Sequence, residues 1–190
     1  MSAYILFAGA LANILGTFPY IRNTIRGTTK PNRVTWLFWS LGTFVAFFAA
    51  LSGGAGWAAF PVFISAALCL ITFVVAVFNK NAYWRLGLFD YLCGGFALCA
   101  LILWMSVHEP VLALAFAIIS DVFASLPTLI KSWTHPESES SGTYVGGLCN
   151  GLAAFFVPQP WTFSSIGFPA YVAAQEIIIL VALYKKKLLS

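Results

Sequence analysis

Long apolar runs, separated by short polar connectors, limit what this chain can fold into. Seven occur, at residues 4–21, 34–51, 57–78, 86–106, 111–133, 143–157 and 163–184. A helix needs about 20 mostly apolar residues to cross the hydrocarbon core of a bilayer. The sixth run is short, with its extension at either end left open. Backbone polar groups find no water in lipid, so a run of this kind defaults to a helix. Charged residues make up 8% of the 190 residues, against about a quarter in ordinary soluble domains. So few charges cannot cover a soluble surface of this size. The expectation is an all-α integral membrane protein with seven transmembrane helices. The first run has no basic region ahead of it and no convincing cleavage site, and is expected to be a retained helix.

The basic residues test this division. Arg22, Arg26, Lys30 and Arg33 lie between the first two runs, and Lys80 and Arg85 between the third and fourth. Lys131 ends the fifth run, and Lys185, Lys186 and Lys187 follow the seventh. Seven spans put all ten Lys and Arg residues on one side of the membrane. Cytoplasmic connectors carry such an excess. The N-terminus is therefore expected outside and the C-terminus in the cytoplasm, in a multi-pass protein of the cell (plasma) membrane. Topology also accounts for the net charge of +4, and no nucleic-acid partner is expected. Tyr83, Trp84, Trp104, Trp133, Trp161 and Tyr184 fall near run ends, where an interfacial aromatic belt belongs. Cys69, Cys93, Cys99 and Cys149 form no CxxC pair. They are expected to be buried small hydrophobes and not a metal site or a disulfide framework.

The chain also repeats itself. Shifted by 108 positions without a gap, Pro19 falls on Pro127, Thr35 on Thr143 and Pro61 on Pro169. Ala46-Phe-Phe48 falls on Ala154-Phe-Phe156. Each repeat holds three runs, residues 1–79 and 110–190 with its basic tail. Two three-helix units joined directly would point in opposite directions. The fourth run, within residues 80–109, restores the direction and has no partner in the repeat. The expected fold is two parallel three-helix repeats plus an inversion linker helix (3+1+3), related by an axis along the membrane normal.

This arrangement, with a proline near the cytoplasmic end of the first helix of each unit, resembles the SWEET and PQ-loop (MtN3-like) transporter superfamily. The family's Pro-Gln dipeptide stands here as Pro19-Tyr20 and Pro127-Thr128. Pro158-Gln159 lies in an outer connector, outside the motif's place. The resemblance implies alternating-access transport of a small polar solute such as a sugar. It also implies substrate contacts from asparagine and tryptophan side chains in the cavity. Asn150, Trp36, Trp39 and Tyr144 are the corresponding residues. Trp36-Leu-Phe-Trp39 also resembles the WxxW of the PnuC vitamin transporters, another 3+1+3 family.

Physical arguments reach further residues. A proline inside a helix removes one hydrogen bond and kinks it, so Pro19 and Pro127 are expected to act as hinges. Ionisable groups at membrane depth are costly and usually functional. Asp121 lies six residues before Pro127, and its repeat partner Asn13 lies six before Pro19. Both are expected in a shared substrate-binding cavity. Asp121 and Glu176 are candidates for proton coupling. Asp90 is expected to reach Arg85 or the headgroups. Trp36, Trp39 and Ser40 share a helical face, and Tyr144 is the repeat partner of Trp36.

No catalytic constellation is present: His108 and His135 fall in connectors on opposite faces, and Ser, His and Asp do not group. No enzyme activity, cofactor or metal is expected. A retinal protein would need a lysine midway along the seventh run, and the lysines there lie at its end. The expected partners are a small-molecule solute and the lipid bilayer, with a homo-oligomer left open. The competing classes are a non-transporting seven-helix receptor or sensor and a lipid-binding membrane protein.

Overall fold

Seven α-helices form from the seven apolar runs. The computed structural model describes residues 2–52, 59–106, 110–156 and 161–188, with no strand among them. The helices are α1 (Ser2–Arg26), α2 (Arg33–Ser52), α3 (Phe60–Phe78), α4 (Leu88–Ser106), α5 (Pro110–Thr134), α6 (Gly142–Ala153) and α7 (Phe163–Leu188). By length and composition four stretches suffice to cross a membrane: Tyr4–Arg26, Phe60–Phe78, Leu114–Thr134 and Ile166–Lys185. Shorter apolar stretches occupy α2 and α4. The sixth run forms α6 over 12 residues and then tightens into a 3-10 turn, Ala154–Phe156.

The solvent is legible in what faces outward. Phe18 is 66% exposed and Leu15 63%, one turn apart on α1, while Thr17 between them is buried. Exposed phenylalanine, leucine and isoleucine recur around the other helices, and Thr24, Asn32, Thr35, Thr128 and Ser132 are wholly buried. Apolar side chains outside and polar ones inside mark a protein whose surroundings are lipid. Cys69 and Cys93 are at least partly buried, but Cys99 and Cys149 are exposed. A bilayer accepts a thiol as a protein core does, so burial did not follow from apolar neighbours alone. All four cysteines are free.

Polar residues at the basic end finish the helices. Gly27 has φ +77°, a left-handed conformation that favours glycine. It closes α1 with Thr28 N donating to Asn23 O and Gly27 N to Thr24 O, each 3.0 Å, the paired bonds of a Schellman end. Asn79 Nδ2 donates to the carbonyls of Thr24 and Ile25 in the last turn. Arg33 does the same for Ala76 O at the end of α3. Asn32 Oδ1 accepts from Val34 N and Thr35 N, capping α2. Its amide donates to Asp90 Oδ1 at 2.5 Å, and Asp90 Oδ2 accepts from Gly87 N. Asp90 therefore caps α4 and ties it to α2, in place of the expected reach to Arg85 or the headgroups.

The packing is selective. Helix α3 packs against both α1 and α2, and α7 packs against both α5 and α6. The remaining broad contacts are α1 on α6, α2 on α5, and α4 on α5 and α2. The α1–α6 contact is built on glycine. A Cβ at Gly16 would sit 2.2 Å from Gly142 O, and one at Gly146 2.8 Å from Ala12 O. Close approach of this kind is how helices associate where no hydrophobic force separates them from lipid.

Candidate functional site

A cavity of about 270 Å³ opens where six helices meet, near the low end of small-molecule pockets. Helices α1, α2, α3, α5, α6 and α7 all contribute to its lining; α4 does not. Asn13, Trp36, Trp39, Asp121, Tyr144 and Asn150 all line it, and so does Glu176. Residues spread over more than 160 positions of chain thus converge on one space. Pro61 and Pro169 line it too, in different settings. Pro61 stands in the first turn of α3, where its missing N–H costs nothing; Pro169 lies inside α7. Pro19 and Pro127 are inside α1 and α5 and leave both helices continuous. Pro19 is exposed and Pro127 buried.

One wall is a neutral hydrogen-bonded cluster. Ser65 Oγ accepts from Asn13 Nδ2 at 2.9 Å and from Asn150 Nδ2 at 3.2 Å. Its own hydroxyl donates to Pro61 O. Thr17 donates to Asn13 Oδ1, and its oxygen pairs with Thr143 Oγ1 at 2.9 Å. Ser65 was not anticipated from sequence, since a serine in an apolar helix carries no signal until its partners are known. Replacing Ser65 with Ala should leave two amide donors without their shared acceptor. A loss of about 1–3 kcal/mol is expected, measured by unfolding the detergent-solubilised protein. Unchanged stability would mean that the two amides find other acceptors.

The facing wall is acidic and aromatic. Tyr171 OH donates to Asp121 Oδ2 at 2.8 Å. Glu176 lies beside Gly147; a Cβ there would stand 2.4 Å from Glu176 Oε1, so glycine makes room for the carboxyl. Glu176 Oε2 and Gln175 Oε1 are buried without hydrogen-bond partners. Trp36 and Trp39 meet edge to face, with centroids 5.3 Å apart. Tyr20 packs on Trp36 at 5.0 Å and edge-on to Tyr144 at 6.1 Å.

Below the aromatic floor the basic end is closed by polar contacts. Glu139 Oε2 accepts from Tyr20 OH at 2.7 Å and from Tyr144 OH at 2.8 Å. Its other oxygen pairs with Lys131, which also donates to Lys30 O. Both side chains of this ion pair are buried, Lys131 at 1% exposure and Glu139 at 0%. The Lys131 ammonium also lies over the Trp84 ring, 5.0 Å from its centroid. Lys131 had counted only as a marker of topology. Asn23 donates to Ser140, Thr29 pairs with Ser140, and Lys30 N donates to Ser138 O. The connector after α1 is thereby stitched to the connector after α5.

The described residues hold no group of three or more His, Cys, Asp or Glu able to bind a metal ion. His108 lies outside the described residues. His135 sits in the connector after α5, against the edge of Trp84 and away from the cavity lining. Compared with protein-family models, curated proteins and solved structures, the chain matches none significantly.

Proposed function

We propose that the chain is a transporter or facilitator of a small polar solute, working by alternating access and built like the SWEET and PQ-loop proteins. One observation carries the reading: a cavity is lined by residues from both halves of the chain, with a polar seal across one end. A site reached from one side at a time needs such a seal on alternate sides.

In this reading the molecule spans the membrane seven times, as three-helix units within residues 1–79 and 110–190 joined by α4. The packing supports it. Within the halves, α3 lies against α1 and α2 as α7 lies against α5 and α6. Between the halves, α1 meets α6 and α2 meets α5, two contacts that a two-fold axis would exchange. The repeat-matched Thr35 and Thr143 each meet a hydroxyl across these seams: Thr35 accepts from Thr128, and Thr143 pairs with Thr17. α4, absent from the cavity lining, fits the linker. The N-terminus is outside and the C-terminus cytoplasmic, so the seal at Glu139 closes the cytoplasmic end. Pro19 and Pro127 would supply local compliance in the first helix of each unit. Asp121 and Glu176 are the groups able to carry a proton.

Flux is the test. Purified protein in liposomes should take up at least one solute saturably, above protein-free vesicles. A solute that binds the purified protein but never crosses would replace transport by sensing.

A further inference from the structure

We propose that the cavity selects an organic cation, a protonated amine on an aromatic or apolar body. The inference rests on the transport reading for its context and names the ligand class of the same cavity.

Charge comes first. Asp121 and Glu176 line the cavity, and no Lys, Arg or His is among its described lining residues. Lys131, at the cytoplasmic end, is already paired with Glu139. A buried carboxylate needs a counter-charge or donors. Asp121 has the Tyr171 hydroxyl. Glu176 Oε2 has nothing, and Gln175 Oε1, on a side chain 8% exposed, also has nothing. The site thus offers two carboxyl groups and an amide acceptor, with no basic side chain among its described lining residues.

Ligand classes answer this differently. An ammonium brings three donors and a positive charge. A sugar brings hydroxyl donors but leaves the anion uncompensated. A carboxylate or phosphate adds like charge and no donor. The aromatic side favours the same choice. Trp36, Trp39 and Tyr144 form part of the lining, and indole faces attract ammonium groups and stack on rings. The Trp39 indole is directed at Asp121 and the Trp36 indole at Tyr20, though neither Nε1 completes a hydrogen bond. Gly147 keeps the Glu176 carboxyl at the cavity edge, since any side chain there would displace it.

Three probes of one shape and different charge test the inference: benzylamine, benzyl alcohol and benzoate. Their binding to the purified full chain in detergent is measured by calorimetry near neutral pH. Benzylamine should bind roughly ten-fold tighter than benzyl alcohol or better, and benzoate weakest. In Glu176→Gln the preference for amine over alcohol should fall to near unity, with Asp121→Asn as the second variant. Equal binding of amine and alcohol by the wild-type chain would overturn the inference, and so would a preference that survives both variants. The wild-type comparison decides even if a variant fails to fold. If glucose binds and crosses liposomes while benzylamine does not bind, the cation inference falls and transport stands. If benzylamine binds selectively and no solute crosses, the cation inference stands and transport falls.

Discussion

Replacing Glu139 with Gln is expected to cost about 3–5 kcal/mol of stability, the penalty for stranding one member of a buried ion pair. Lys131 and Glu139 are both removed from solvent. The carboxylate also accepts from Tyr20 on α1 and Tyr144 on α6. A glutamine amide offers one oxygen where the carboxylate offered two. Its NH2 must then face either an ammonium or two hydroxyls that were donating. Denaturant unfolding of the detergent-solubilised protein reads the loss. The double variant Lys131→Met with Glu139→Gln should recover part of it, because removing both charges spares the burial of one alone. A loss below about 1 kcal/mol in the single variant would mean that water reaches the pair.

The second large effect is expected at Gly16. Its Cβ position is occupied by Gly142 O at 2.2 Å, with Gly146 Cα at 3.1 Å. These are backbone atoms, so no side chain can rotate away. Gly16→Ala must separate α1 from α6, and about 3 kcal/mol or more of destabilisation is expected, at the upper end of overpacking costs. Gly42 provides the control, for a Cβ there meets nothing within 4 Å. In a helix interior Gly42→Ala should be neutral or stabilising by about 0.5–1 kcal/mol. Equal effects at the two positions would show that the α1–α6 approach does not depend on glycine.

Much of this arrangement was legible in the chain because lipid leaves a sequence few options. Apolar runs must be helices, and the ends of α2, α4, α5 and α7 fall within a few residues of the expected limits. Asn13 and Asp121 were found by cost, since polar groups at membrane depth need a reason, and both line the cavity. The polar seal around Glu139 was not found. Glu139 sits in the stretch Pro136-Glu-Ser-Glu-Ser-Ser141, which reads as a solvated connector. Its partner Tyr20 lies 119 residues away, in the helix where Asn13 and Pro19 drew attention. Periodicity and composition describe one segment at a time. A site assembled from one connector and three helices has no signature in any of them. Ser65 was missed for the same reason. The length of α6 was overestimated because hydropathy alone does not separate an α-turn from the 3-10 turn that ends it.

The unequal seams between the halves have a mechanical consequence. Along α1 and α6 main chain meets main chain at Gly16, Gly142 and Gly146, beside the Thr17–Thr143 hydroxyl pair, and main chain cannot change rotamer to accommodate a slide. Along α2 and α5 the link includes a hydrogen bond between the Thr35 and Thr128 hydroxyls at 2.9 Å. Side-chain hydroxyls can let go and re-form elsewhere at small cost. Any relative motion of the halves is therefore steered to one side, as the boards of a book part at the fore-edge while the spine holds. The two seams are not interchangeable. Control over how fast such a book opens belongs to α2 and α5.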